Sequence, residues 1–243
     1  MKVLVLAVAL VVGACTPPEV TDPAQAERDE IFSLLAMAVV HRGWQSSADG
    51  RGHNIGAVLV NESFEPVFWA RNTVGRSDNA TQHGEVRLIQ EFLNCPAIGR
   101  YAEGFTVYTT LEPCAMCAGM MALARVGRVV YVQADPQYGN VRKALDEIEY
   151  PLLFTEHTPA ALPQKKLLDA GYQAFGKAND DASVVEYLLL PDAERIFASA
   201  EKDLNRYRPR HAENARVLAH AQAFLRRVPA DDDERPARFC PAG

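Results

Sequence analysis

FTVYTTLEPCAMCAGMMALARVGRVVYV, residues 105–132, reads as strand, helix, strand. Phe105–Leu111 is rich in β-branched and aromatic residues, the composition of a pleated strand. Cys114–Arg125 has helical character, and Arg128–Val132 (RVVYV) is a strand again. Toward the N-terminus, Ile55–Val60 (IGAVLV) is a buried-strand run. Pro66–Ala70 (PVFWA) is a second, joined to it through the hairpin-like Asn61–Glu65. Ala24–Arg42 places Ile31, Leu34, Leu35, Ala38 and Val39 at the spacing of an amphipathic helix. His83–Phe92 does the same through Val86, Leu88, Ile89 and Phe92. The order α, β, β, α, β, α, β predicts a sheet with helices on its faces, an α/β layered domain. No internal repeat is visible.

After Asn140 the signals weaken. Val141–Tyr150 is compatible with a helix, Pro151–Pro163 reads as loop, and Val184–Leu190 (VVEYLLL) fits a strand or a helical turn. Asp192–Tyr207 and His211–Arg227 read as helices broken at Pro209, and the acidic run Asp231–Glu234 marks a solvated tail. The expected organisation is a domain over 26–150, a mostly helical extension packed on it over 151–229, and a flexible tail over 230–243.

The chain has 243 residues, 48% hydrophobic and 23% charged, which excludes collagen-like and wholly disordered chains. Its net charge of −6 gives no long-range attraction to a polyanion, which argues against nucleic acid as the main partner. Five cysteines are too few for a disulfide scaffold of this size. Cys114 and Cys117 sit three apart. Cys95 and Cys240 are left over, and either a disulfide between them or two isolated thiols fits the sequence.

Cys15 closes an N-terminal run, MKVLVLAVALVVGAC. Lys2 precedes an apolar stretch shorter than the roughly 20 residues that span a bilayer, as in a signal peptide. Val12-Gly13-Ala14-Cys15 resembles a bacterial lipobox, with Cys15 the lipidation site and residues 16–25 a tether. A buried first strand or an uncleaved anchor is the alternative. On the lipobox reading the protein is exported and membrane-anchored through its lipidated N-terminus.

Two motifs carry chemistry: His83-Gly84-Glu85 and Pro113-Cys114-Ala115-Met116-Cys117. Two cysteines at i and i+3 of a helix start project to one side, where the helix dipole favours thiolate. Thiolates so spaced are good zinc ligands, and His83, starting the other helix, supplies a third. Three protein ligands leave a fourth position for water, the arrangement of a catalytic zinc, and bound zinc brings the pKa of that water to about 7. Glu85, two residues from the His, is placed to shuttle a proton without binding the metal. The pair H-x-E and P-C-x-x-C is the signature of zinc deaminases. A redox CxxC is the alternative for the cysteines, and it leaves the H-x-E unexplained.

Segment 56–138 resembles the CMP/dCMP-type zinc deaminase superfamily, in the branch that holds tRNA adenosine, guanine and cytosine deaminases. The residues that carry the likeness are Gly56-Ala57-Val58, Asn72, Ala80-Thr81-Gln82-His83-Gly84-Glu85, Thr110–Gly119 and Arg128-Val129-Val130-Tyr131. The resemblance implies a cytidine-deaminase-like three-layer α/β/α sandwich around a mixed five-stranded sheet, one zinc per subunit and a homodimer. It implies that Glu85 is catalytic, that His83, Cys114 and Cys117 hold the metal, and that Asn72, Gly84 and Asp135 lie against the substrate. A turn residue after a strand is the alternative for Asn72. Cytidine deaminases proper usually have Cys at position 83. Gly84 is similar to the cytosine enzymes, where tRNA enzymes usually carry Ala, and Asn54 stands where many relatives have Pro.

The substrate expected is a free nucleobase or nucleoside of cytosine, guanine or adenine type, converted to the oxo product with release of ammonia. A tRNA-specific adenosine deaminase is the first alternative, because Glu194–Arg227 carries eight basic residues against four acidic ones. A non-catalytic zinc-stabilised binding lipoprotein is the second.

Overall fold

A computed structural model describes residues 22–96, 98–139, 141, 157–180, 182–230 and 240. The expected signal peptide with Cys15, most of the Val141–Tyr150 helix and the acidic run of the tail lie outside the described residues.

Helix α1 spans Pro23–Arg42, with proline in its first turn and the Asp22 side chain accepting the Ala24 N–H at 3.1 Å. Strands β1 (Gly56–Val60) and β2 (Pro66–Arg71) form an antiparallel hairpin. Its turn is tied by Asn61 Oδ1, which accepts the Ser63 and Glu65 N–H groups. Helix α2 (Gly84–Leu93), β3 (Thr106–Leu111), α3 (Ala115–Leu123) and β4 (Arg128–Gln133) follow. Strand β5 (His157–Pro159) completes a sheet of order β2-β1-β3-β4-β5. The β1–β2 and β1–β3 pairs are antiparallel, and β3–β4 and β4–β5 are parallel, so the sheet is mixed and five-stranded, as the family resemblance implied.

Side chains alternate across the sheet and sort into two cores. Val58, Val60, Tyr108, Val130 and Val132 face α1. Ala57, Leu59, Val107 and Val129 face α2 and α3. That is the α/β/α layering. Beyond β5 come α4 (Pro163–Ala178), α5 (Val184–Tyr187), α6 (Pro191–Arg206) and α7 (Asn214–Arg227). Phe197, Ala200 and Leu204 of α6 and Val217, Ala221 and Phe224 of α7 join the α1 core.

Two expectations need correcting, and one open alternative is decided. Helix α1 is not amphipathic in its setting: every residue from Ile31 to Val40 is buried, because α6 and α7 cover the side that the sheet leaves open. The stretch read as loop over 151–163 contains β5, whose three residues His-Thr-Pro are too few to show an alternation. Val184–Leu190 resolves in favour of a helical turn, with a capping box between Ser183 and Glu186.

Cys95, just past the end of α2, is joined by a disulfide to Cys240, with 5.5 Å between the Cα atoms. The two are therefore not isolated thiols, and the stretch expected to be a free tail is covalently held at that residue. Among the described residues no helix is long and apolar enough to cross a membrane.

Candidate metal centre and active site

Two helix starts meet at one point. His83 is the N-cap residue of α2 and Cys114 that of α3, and neither side chain is spent on capping its helix. Their freedom leaves both side chains available to the space between. His83 Nδ1 lies 3.7 Å from Cys114 Sγ and 3.5 Å from Cys117 Sγ, and the sulfurs are 3.6 Å apart. A tetrahedral zinc with ordinary Zn–S and Zn–N bond lengths requires edges of about 3.8 Å between sulfurs and about 3.6 Å between nitrogen and sulfur. The donor triangle fits that ion. Among the described residues it is also the one group of three or more His, Cys or carboxylate ligands close enough to share a metal.

Residues 27–133 match the family described as cytidine and deoxycytidylate deaminase zinc-binding region. The chain carries a CMP/dCMP-type zinc deaminase domain. Zinc is the metal of this domain. It is 33% identical over 100 residues to the tRNA-specific adenosine deaminase of Aquifex aeolicus, an alignment covering 41% of this chain and 64% of that one. It is 43% identical over 86 residues to the enzyme of the same name from Bacillus subtilis, covering 35% and 52%. The chain thus spans between half and two thirds of the length of these two curated relatives. A solved structure from a study of A-to-I editing by tRNA:A34 deaminases aligns with 31% identity and a TM-score of 0.37, covering 44% of this chain and 75% of that one.

The charges in the deaminase domain bear on how the metal enters. Hydrogen bonding between the two sulfurs holds the Cys114 thiol down to about 4, with burial opposing and His83 assisting. The same bond, with burial, pushes Cys117 well above the ordinary thiol range. Contact with Cys114 raises His83 against the opposing effect of burial. With Cys117 raised above the ordinary thiol range and His83 raised above its own, protons compete with zinc for the metal-free site near neutral pH. Raising the pH removes the competing protons, so zinc binds more tightly at higher pH. We expect the Kd to fall by about tenfold or more per unit between about pH 6 and 8. Competition titration against a chelator measures this, and a pH-independent affinity would contradict it.

Glu85, in the first turn of α2, is buried. Its Oε2 lies 3.7 Å from Cys117 Sγ, beside the triangle. Burial raises its pKa, partly offset by hydrogen bonds from its own backbone N–H and Thr109. Asn72, just past the end of β2, is also buried. Its Oδ1 accepts N–H groups from His53 (3.2 Å) and Val74 (3.1 Å), while its Nδ2 has no partner among the described residues. Arg51 supports it from behind, donating to the Asn72 carbonyl at 2.5 Å.

Asp135 is buried near the end of β4, its Oδ1 accepting the Gln137 and Tyr138 N–H groups at 3.0 Å each. Burial raises its pKa against those two bonds, with the Glu112 and Cys114 charges adding to the rise, which places it in the field of the centre. Gly84 has a packing role in the fold. A side chain there would meet Gly56 Cα at 2.9 Å, so its smallness lets α2 dock on β1.

Sequence reasoning missed three neighbours. Thr109 contacts Glu85, and its one signal was a polar residue on the β3 face where Val107 is apolar. Arg51 gave no signal. His53, whose Nδ1 is buried without a partner among the described residues, has its pKa lowered by burial and then by its neighbours His83 and Arg51. A single histidine in a loop carries no pattern.

Proposed function

We propose that this protein is a zinc-dependent hydrolytic deaminase of free amino-substituted nucleobases or nucleosides. The observation that carries the reading is the Glu85 carboxylate, buried at 3.7 Å from one corner of the His83, Cys114, Cys117 triangle. Zinc held there would supply an acidified water and a Lewis acid. Glu85 Oε2 passes on two protons in turn, the first from the attacking water to a ring nitrogen and the second from the hydroxyl newly bonded to the ring carbon to the departing amine; a carboxyl whose pKa burial has raised suits both steps. Asn72 Nδ2 donates to an acceptor on the ring, because its Oδ1 is already taken. Asp135, which interacts electrostatically with Cys114, is assigned to the substrate as well.

The preference for a small substrate rests on where the basic residues lie. Helices α6 and α7 pack on α1, on the sheet face opposite the one that carries α2 and α3. Part of their charge is also neutralised: Arg210 pairs with Glu30 at 2.9 Å and Arg195 with Asp192. The curated relatives favour the second reading, a tRNA adenosine deaminase, for which binding would be tight and salt-sensitive. Ammonia release from a panel of cytosine, adenine, guanine and their nucleosides, run beside an A34-bearing tRNA, separates the two. Turnover of the tRNA alone would reject the small-substrate reading.

Two further expectations belong to the proposal. Helix α3 has no charged residue and exposes Met116 and Leu123 beside half-buried Met120, an apolar stripe suited to a second copy in a homodimer. Sedimentation that gives a monomer mass would reject it. Export with lipidation at Cys15 is supported by the Cys95–Cys240 disulfide, a bond typical of oxidising compartments. The mass of membrane-extracted protein tests it, and retention of residues 1–14 would reject it.

A further inference from the structure

A glutamate carboxylate rotates broadly about its last torsion, so a buried one that handles protons at a single oxygen needs an outside constraint. Thr109 supplies a candidate. It is completely buried on β3, a strand bonded to β1 on one side and β4 on the other, and it therefore sits on a rigid support. Its Oγ1 lies 2.8 Å from Glu85 Oε1, 3.2 Å from the Leu111 carbonyl and 3.5 Å from the Gly56 carbonyl. A hydroxyl has one proton to give, and Glu85 Oε1 is the nearest acceptor. Oε1 is thereby occupied, and Oε2 is the oxygen turned toward Cys117 Sγ.

We infer that Thr109 is a positioning residue that fixes the plane of the Glu85 carboxylate, reserving Oε2 for proton transfer. The inference rests on the deaminase reading above and deepens it. Thr109 acts through Glu85 and contributes no ligand to the metal. A valine at this site keeps the shape and removes only the hydroxyl, and a serine keeps the hydroxyl.

The test compares wild type, Thr109→Val, Thr109→Ala and Thr109→Ser for zinc content and for kcat and KM on the substrate that the panel identifies. The 13C resonance of the Glu85 carboxyl carbon is followed in the metal-free proteins. All four should hold zinc at the same stoichiometry. Thr109→Val should lower kcat by about tenfold or more and leave KM within about twofold, with Thr109→Ala following it and Thr109→Ser restoring most of the rate. The carboxyl resonance should move in the Val and Ala variants and stay in place in Ser. An active wild type whose Val or Ala variant keeps both its kcat and its carboxyl resonance overturns the inference and leaves the deaminase reading intact. A wild type inert toward every substrate overturns the reading itself, and the inference with it.

Discussion

Glu85→Gln should retain a full complement of zinc while losing about 10²- to 10⁴-fold in turnover, the usual share of a general acid–base group. The amide has the same shape and can still accept the Thr109 hydroxyl at its oxygen, so the fold around α2 has no reason to change. What it lacks is a site for a proton. Glu85 also stands outside the donor triangle, which is formed by His83, Cys114 and Cys117. Metal content and rate should therefore separate: zinc by elemental analysis stays at the wild-type value, and ammonia release falls. Wild-type turnover in Glu85→Gln would remove the proton-transfer role. Loss of zinc along with activity would make Glu85 part of the metal centre instead.

Cys117→Ala should do the opposite and lose the metal. Its sulfur is one corner of the triangle and is almost wholly buried. Removing one of three protein ligands should weaken zinc binding by well over the roughly 10- to 100-fold typical of a supporting residue. Zinc at about 1,000 times its Kd stabilises a folded protein by about 4 kcal/mol, and that linkage disappears with the site. In wild type, zinc should raise the melting temperature and a chelator should lower it; in Cys117→Ala neither should act. A variant that still takes up one zinc with undiminished affinity would show that the metal sits elsewhere. His83→Ala provides the matching control from the other helix.

The sequence made the centre legible because its chemistry is local. A P-C-x-x-C run at a helix start and an H-x-E at another fix five side chains by spacing alone, and the structure brings the three ligands within 3.7 Å of one another. The strands β1, β3 and β4 were equally plain, since β3 and β4 are mostly β-branched or aromatic and β1 belongs to a short continuous apolar run. What escaped depends on partners distant in sequence. Helix α1 carries a pattern that suggests one buried face, and only the arrival of α6 and α7 more than 150 positions later buries the other. Strand β5 is recognisable by its pairing with β4 and by little in its own residues. The free nitrogen of Asn72 is set by the backbone of His53 and Val74, so the residue type alone could not distinguish a base reader from a turn.

The bond between Cys95 and Cys240 joins residues 145 positions apart and turns most of the protein into a covalent ring. A protease that clips the exposed turn at Asn179 and Asp180 would open the ring without dividing the molecule. The nicked enzyme would keep its mass, apart from one added water, on a non-reducing gel or in a column. Only a thiol reagent, together with a denaturant to part α6 and α7 from α1, would release the piece that bears α5, α6 and α7. Accumulated cleavage in such a protein stays hidden until it is reduced.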